Sequence, residues 1–524
     1  MYLLLFGENH SSFKWMPAGR RSAVMGFLWI ALLGCDAQRN STTSRSPRTN
    51  GQAASISGFV LGKNGPIPNA RVRVQGQADF VLSDRDGRFV LSAPASERAV
   101  ITAAKPGYLI EGATVADELK ITLRRLPEED DEHYQWTDPR PDAGGGENCG
   151  NCHQQIFDEW QESEHAHTVT NRRFLSMMDG TDWEGAPGHG WSLKADYPNA
   201  EAVCSACHAP THDAISLDAW PTHDSVAGQG VHCDFCHKIQ EVPANGVGFA
   251  HGRLGVDLLR SQTQMVIFGP LDDVDRGFES YSPLQSESRY CAACHEGVLL
   301  GVHVYSTYSE WLDSPARQQG KDCQSCHMKP TGKMTDFAPD MGGIARDPAT
   351  LASHTFMPGG RLTMLKKCVS EKIAVERADG HVRVDVELAA NDVGHRVPTG
   401  FVDRHLVLVV LARDHEGNPL NPLQGPVLPS WFHSDSGLAG LLFAKQLADE
   451  DGNMPVPFWS EGANIRADTR LISGQLHQST FLFPVETTQV QIMLRYRRTW
   501  EFVAEVKKWP ENDIVVFDRT IHVD

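Results

Sequence analysis

The residues with chemistry to perform are ten cysteines and five histidines in one recurring spacing. Cys-x-x-Cys-His occurs five times: Cys149/Cys152/His153, Cys204/Cys207/His208, Cys233/Cys236/His237, Cys291/Cys294/His295 and Cys323/Cys326/His327. Two thiols three residues apart, on one helical turn, can each close a thioether onto one vinyl group of a haem. The following His then lies under the iron as its proximal ligand. One such motif could be a zinc knuckle or a redox dithiol. Five copies, every one ending in His, point instead to five covalently bound c-type haems.

Each iron needs a second axial ligand, or is left open. Eighteen of the 23 His lie outside the motifs. The leading candidates are His165 or His167, one to two helical turns past Trp160; His354, in Ser353-His-Thr-Phe-Met-Pro-Gly-Gly360; and His395, in a Gly/Pro-rich loop between strands; His251 is a further candidate whose ordinary reading is a surface or hydrogen-bonding role. His189, His212, His223, His232 and His303 rank lower, with surface or hydrogen-bonding roles as their ordinary reading. His381, His415, His433, His477 and His522 read as surface. Bis-His ligation gives lower potentials than His/Met, for which Met177, Met178 and Met328 are available. No catalytic residue is evident.

The haem segment, 149–365, must fold around cofactors instead of an ordinary side-chain core. Its motif starts are 55, 29, 58 and 32 residues apart, a long-short-long-short rhythm. Gln229-Gly-x-x-Cys233 matches Gln319-Gly-x-x-Cys323, which suggests duplication of a two-haem unit behind a leading haem. Segments of about 30 residues between paired motifs predict closely stacked haems.

Strands are predicted on both sides of this mostly α/irregular region. Over 55–126, short runs such as Ile56–Leu61, Ala70–Val74 and Arg88–Leu91 alternate with Gly, Asn, Asp and Pro, as in a small β-sandwich. Asp84-Arg-Asp-Gly87 reads as a hairpin turn. Over 366–524, Val382–Leu388, His405–Leu411, Ser479–Phe483, Val490–Leu494 and Asp513–Phe517 predict a second, sandwich-like β domain. An acidic Pro/Gly-rich linker, 127–148, precedes the haems.

Arg20-Arg21 followed by the apolar run Ala23–Leu33 reads as a signal peptide, residues 1–35, too short to span a bilayer comfortably. Leu32-Leu-Gly-Cys35 resembles a lipobox, which implies lipidation of Cys35. Residues 36–54 are Ser/Thr/Arg/Asn-rich and read as a flexible tether. Haem attachment and the leader both place the protein outside the cytoplasm, on the periplasmic side or at the cell surface, anchored to membrane by lipid. The net charge of −18 argues against nucleic acid. It is compatible with steering toward a basic redox partner, although most of it reads as solvated surface.

Two resemblances follow from these residues. Gly58-Phe-Val, Gly65-Pro-Ile-Pro-Asn-Ala-Arg-Val, Asp84-x-Asp-Gly-Arg-Phe-Val-Leu91 and Lys105-Pro-Gly-Tyr108 resemble the carboxypeptidase regulatory-like domain. That implies a spacer or binding module without peptidase activity. Residues 134–524 resemble the multihaem cytochrome c family that includes tetrahaem cytochromes and hydroxylamine-oxidoreductase-like proteins. The resemblance rests on the motifs together with Gly269-Pro, Tyr281-Ser-Pro283, Thr307–Trp311, Ser353-His-Thr-Phe, Gly394-His-x-Val-Pro-Thr-Gly400 and Asp468-Thr-Arg470. It implies mostly bis-His haems, with His354 and His395 distal. Where relatives often carry a His before Tyr-Ser-Pro, this chain has Arg276-Gly-Phe-Glu-Ser280, so one haem is expected to use another ligand or to be five-coordinate.

The expected function is electron transfer between redox partner proteins or a quinol oxidoreductase. The alternative is oxidoreductase chemistry on a small nitrogen or sulfur compound at an open haem. All five motifs end in His, which argues against the Lys-ligated haem usual in pentahaem nitrite reductases.

Overall fold

The computed structural model describes residues 53–94, 98–116, 118–142, 146–212, 220–250 and 253–523. The leader, Cys35, most of the tether and His251 lie outside the described residues. Among the described residues, no helix is long and apolar enough to cross a membrane.

The chain is β-rich at both ends and helical to irregular between them, and its sheets are open. At the N-terminal end, the strand Ala53–Gly62 pairs antiparallel with Arg88–Pro94 and parallel with Leu119–Thr122. A second sheet joins Arg71–Val74, Phe80–Leu82, Val100–Ala104 and Glu111–Thr114. In Leu119–Thr122 the apolar residues are buried and the polar ones exposed, as the alternating pleat requires. Ile56, Val60, Val72, Phe89, Ile101 and Ile121 from the two sheets share one core. The Asp84–Gly87 turn is closed by its own side chain: Asp84 Oδ1 accepts the N–H groups of Asp86 and Arg88 at 2.9 and 2.8 Å. Gly87 has φ +74° there, and a Cβ would meet the Val60 carbonyl at 2.4 Å.

These sheets are packed directly on the haem segment and do not stand apart as a spacer. Leu109 and Leu126 form a core with Leu259, Val266 and Phe268. Arg71 and Arg73 both engage Asp272. Asp273 accepts the N–H of Gly76 at 2.7 Å and binds Arg346 at 2.8 Å, with both side chains almost fully buried. Asp272-Asp273 thus joins the N-terminal sheets to the haem segment.

At the C-terminal end, Val369–Ala378, His381–Ala390 and Leu476–Pro484 form one sheet. His405–Arg413, Gln489–Arg497 and Asp513–His522 are successive strands of another, with Asp513–His522 at its edge. Val382, Val384, Phe481, Leu406, Leu408 and Leu494 fill the space between them. The run His405–Val410 is buried at every position. Leu406, Leu408 and Val410 face that core, and Val407 and Val409 pack with Val302, Val304, Leu193 and Met177 of the haem segment. Burial on both faces explains why this strand reads as a continuous apolar run rather than an alternation.

Lys507 adds a polar joint to the same contact. Its fully buried Nζ donates to the carbonyls of Ser176, Trp191 and His189 at 2.7, 2.7 and 2.8 Å. Three acceptors use all three ammonium protons.

Asp403 sits buried beside this strand, accepting from Thr499 Oγ1 at 3.1 Å, and burial pushes its carboxyl up to about 7. Between its ordinary pH range and about 7, the unfolded chain gives up this proton and the folded chain keeps it. Stability from this group is therefore present at low pH and lost as pH rises through that window. Asp403→Asn removes the slope. It should leave stability unchanged near pH 4 and raise it by about 2–4 kcal/mol at pH 8, read as the difference between variant and parent in denaturant melts at the two pH values.

Candidate functional site

Each motif occupies a short helical stretch: Cys149–Cys152, Ala200–His208, Cys233–Cys236, Ser288–His295 and Cys323–His327. All five motif His and nine of the ten motif Cys line one cavity of about 1770 Å³; the tenth, Cys204, packs partly buried beside it. A single small-molecule site takes roughly 300–1,000 Å³, so this cavity has room for several large planar groups. None of the ten thiols is in a disulfide.

Thiols from different motifs meet. Cys233 lies close to Cys149, Cys294 to Cys207, and Cys291 to Cys323. Cys236 lies close enough to Cys294 to be raised by its charge, after burial, to about 12. The third motif therefore lies beside the first, the fourth lies beside the second and fifth, and the third approaches the fourth. All five attachment points belong to one connected set.

The backbone fixes the proximal rings. The Nδ1 atoms of His153, His208, His237 and His327 face the carbonyls of Phe337, Thr168, Phe268 and Phe356 at 2.8, 3.3, 2.5 and 2.7 Å. A carbonyl only accepts, so Nδ1 carries the proton and Nε2 keeps its lone pair. That tautomer is the one a metal requires, and the carbonyl bond orients the ring. Burial pushes His208 down to about 4 and His295 to about 3, which keeps both imidazoles neutral.

Two of the distal candidates stand opposite motif histidines. His165 and His295 have ring centroids 6.1 Å apart, and His327 and His395 have theirs 6.3 Å apart. Metal–imidazole bonds of about 2 Å on both faces of one iron would separate the centroids by about 6 Å. His354 also lines the cavity. Its Nδ1 has no hydrogen-bond partner, and burial pushes it to about 4, with His237 and then His153 as the nearest charges acting on it. His354 is held by its backbone N–H, which donates to Glu159 Oε2 at 2.7 Å.

His167 does not share the site. It is exposed and outside the cavity, while His165 two residues earlier lines it. Neighbours two apart on a helical turn face different directions, so only one of the pair can point inward. His251 lies outside the described residues, and no position can be given for it.

His232, ranked low from sequence, lines the cavity fully buried. Its Nε2 meets Thr211 Oγ1 at 3.2 Å and its Nδ1 has no partner. The signal that could have singled it out is its place immediately before Cys233. Phe174 stacks on the face of the His208 ring at 3.8 Å and 14°. In the segment that departs from the expected pattern, Arg276 turns away and donates to the carbonyls of Gly342 and Met341. Glu279 lines the cavity there, its carboxyl raised by burial.

The His395 loop hangs on Glu310. Glu310 Oε2 accepts the N–H of Arg396 at 3.1 Å and the hydroxyl of Thr399 at 2.8 Å. Its Oε1 accepts from Ser306 Oγ at 2.5 Å and pairs with Arg470 at 2.7 Å. Arg470 in turn binds Asp468 and the Pro398 carbonyl. The Gly394 backbone lies against Trp311, where a Cβ would stand 3.0 Å from the indole. The residues of Gly394–Gly400 and Asp468-Thr-Arg470 are thus one support for His395.

The residues fit covalently held haem: free thiols in helical pairs, oriented ε-nitrogens, and buried imidazole nitrogens of His232 and His354 without partners, all on one cavity.

Residues 148–238 match the family model described as cytochrome c554 and c-prime. No curated protein matches the sequence. Among solved structures, the fold is similar to that of a penta-heme cytochrome c552 from Thermochromatium tepidum. The identity is 22%, the TM-score 0.51, and the match covers 71% of this chain and 97% of that one.

Proposed function

We propose that this chain, a multihaem cytochrome c on the family and fold findings, is a membrane-anchored, extracytoplasmic pentahaem electron carrier. The observation that carries the reading is that all five attachment sites open onto one cavity. Haems so placed supply one-electron chemistry over short distances. The chain's own residues do the rest. The ten motif thiols hold the groups covalently, and the carbonyls of Phe337, Thr168, Phe268 and Phe356 set the proximal tautomers. His165 and His395 offer second nitrogens opposite His295 and His327, and His354 and His232 offer theirs elsewhere on the cavity wall. An iron held between two imidazoles, as His165 with His295 or His327 with His395 would hold one, would keep no position open for substrate. The kinship to hydroxylamine-oxidoreductase-like proteins, the carboxypeptidase regulatory-like identity of the N-terminal sheets, the lipid on Cys35 and the use of protein partners or a quinol oxidoreductase belong to this proposal.

A second reading has one observation in its favour. Glu279 brings a carboxyl raised by burial to the cavity that the five motifs line. An open position with a proton-bearing group nearby would suit reduction or oxidation of a small nitrogen or sulfur compound. Electron paramagnetic resonance of the ferric protein separates the two. The carrier reading expects low-spin signals only, unchanged by nitrite, hydroxylamine or NO. A high-spin signal that any of these ligands removes would overturn it in favour of the enzyme.

A further inference from the structure

The fifth motif differs from the others at the surface. Cys326 is exposed, while the other nine motif cysteines are partly buried. Ser325 beside it is exposed as well. Ser325 does not line the cavity, so the fifth motif lies where the cavity meets the outer surface.

The charge around that motif is opposite to the charge of the chain. Residues 315–367 carry eight Lys and Arg against four Asp and Glu, in a protein of net charge −18. Four exposed lysines flank the site. Lys321 lines the cavity, and Lys329 follows His327 by two residues. Lys366 and Lys367 end the helix Gly360–Cys368. Cys368, at that end, lines the same cavity as Cys326. Lys321 reaches Asp392 at 3.4 Å, a loose and exposed pair. Among the described residues, Lys329, Lys366 and Lys367 have no carboxylate within salt-bridge reach. Leu362, on the same helix, is 38% exposed. A rim of unpaired lysines with an apolar spot, where a cofactor site meets the outer surface, is what an electrostatically guided, short-lived encounter needs.

We propose that this face docks an acidic redox protein, so that partner exchange occurs at the fifth haem site and against the sign of the overall charge. The inference rests on the electron-carrier reading and adds to it the site and the partner's charge. The net charge alone makes the opposite prediction, since an acidic partner would be repelled.

The test is binding of an acidic flavodoxin to the holoprotein, by surface plasmon resonance, over a salt series. The face predicts binding at about 10 mM salt that weakens at least tenfold toward about 1 M, as the Debye length falls from about 30 to about 3 Å. Lys329→Glu/Lys366→Glu/Lys367→Glu should cost tenfold or more at low salt. Lys63→Glu/Lys120→Glu, on the N-terminal sheets, should cost nothing. Haem content by pyridine haemochrome should be equal in all three proteins. No binding at low salt, or equal loss from both sets of substitutions, would overturn the proposal, as would a loss of haem in the triple variant. The carrier reading is tested apart from docking by the spin state of the isolated protein, so either can fail alone.

Discussion

Glu310→Ala should convert one low-spin haem to high spin and destabilise the C-terminal domain. Glu310 is the common acceptor for Arg396 N–H, Thr399 and Ser306, and the partner of Arg470. Arg470 is 3% exposed at its side chain. Truncating the carboxylate leaves that guanidinium with Asp468 and the Pro398 carbonyl, and leaves the loop carrying His395 without its tie. Removing one partner of a buried ion pair costs about 3–5 kcal/mol. His395 then no longer holds its ring opposite His327. Thermal melting reads the first effect and electron paramagnetic resonance the second. Glu310→Gln keeps two acceptor bonds and loses the charge, so it should retain low-spin iron and lose less stability. A spectrum unchanged in Glu310→Ala would mean that His395 is not the ligand.

The second large effect concerns the N-terminal sheets. Asp273→Ala strands Arg346, whose side chain is 6% exposed, and removes the acceptor for Gly76 N–H. A cost of about 3–5 kcal/mol is expected for leaving a buried charge unpaired. The consequence extends to the haems, because the same segment continues to Val266 and Phe268. Phe268 packs with Leu109 and Leu126, and its carbonyl orients His237. Loosening that carbonyl weakens a bond that makes the ligand more basic, so one haem potential should rise. Potentiometric titration, with the melting temperature of the same sample, checks both. A variant that melts earlier with all potentials unmoved would confine the sheets to a structural role.

The chemistry was legible in sequence where covalent attachment dictates spacing. Five Cys-x-x-Cys-His units can be read without any knowledge of the fold. The outer strands were legible because Val382–Leu388 and Leu119–Leu123 alternate with the pleat. His395 could be singled out because a Gly/Pro-rich loop between strands is free to present a side chain outward. The choice between His165 and His167 was not legible, since a two-residue offset on a turn decides which one faces inward. His232 ranks low in sequence because its burial comes from distant residues, Trp136 at a ring distance of 6.4 Å and Thr211. The role of Glu310, and the Phe268 and Phe356 carbonyls, depend on contacts across tens of residues that no local pattern announces. Asp272-Asp273 reads as solvated charge, and becomes a buried joint only when Arg71, Arg73 and Arg346 close on it.

The central claim is that one chain holds five haems through these ten thiols. Intact mass spectrometry of the denatured holoprotein, with pyridine haemochrome on the same sample, tests it directly. The account predicts the chain mass plus five covalent haems, falling by one haem in Cys291→Ala/Cys294→Ala. A preparation saturated at four or fewer, or haem lost on denaturation, would contradict it.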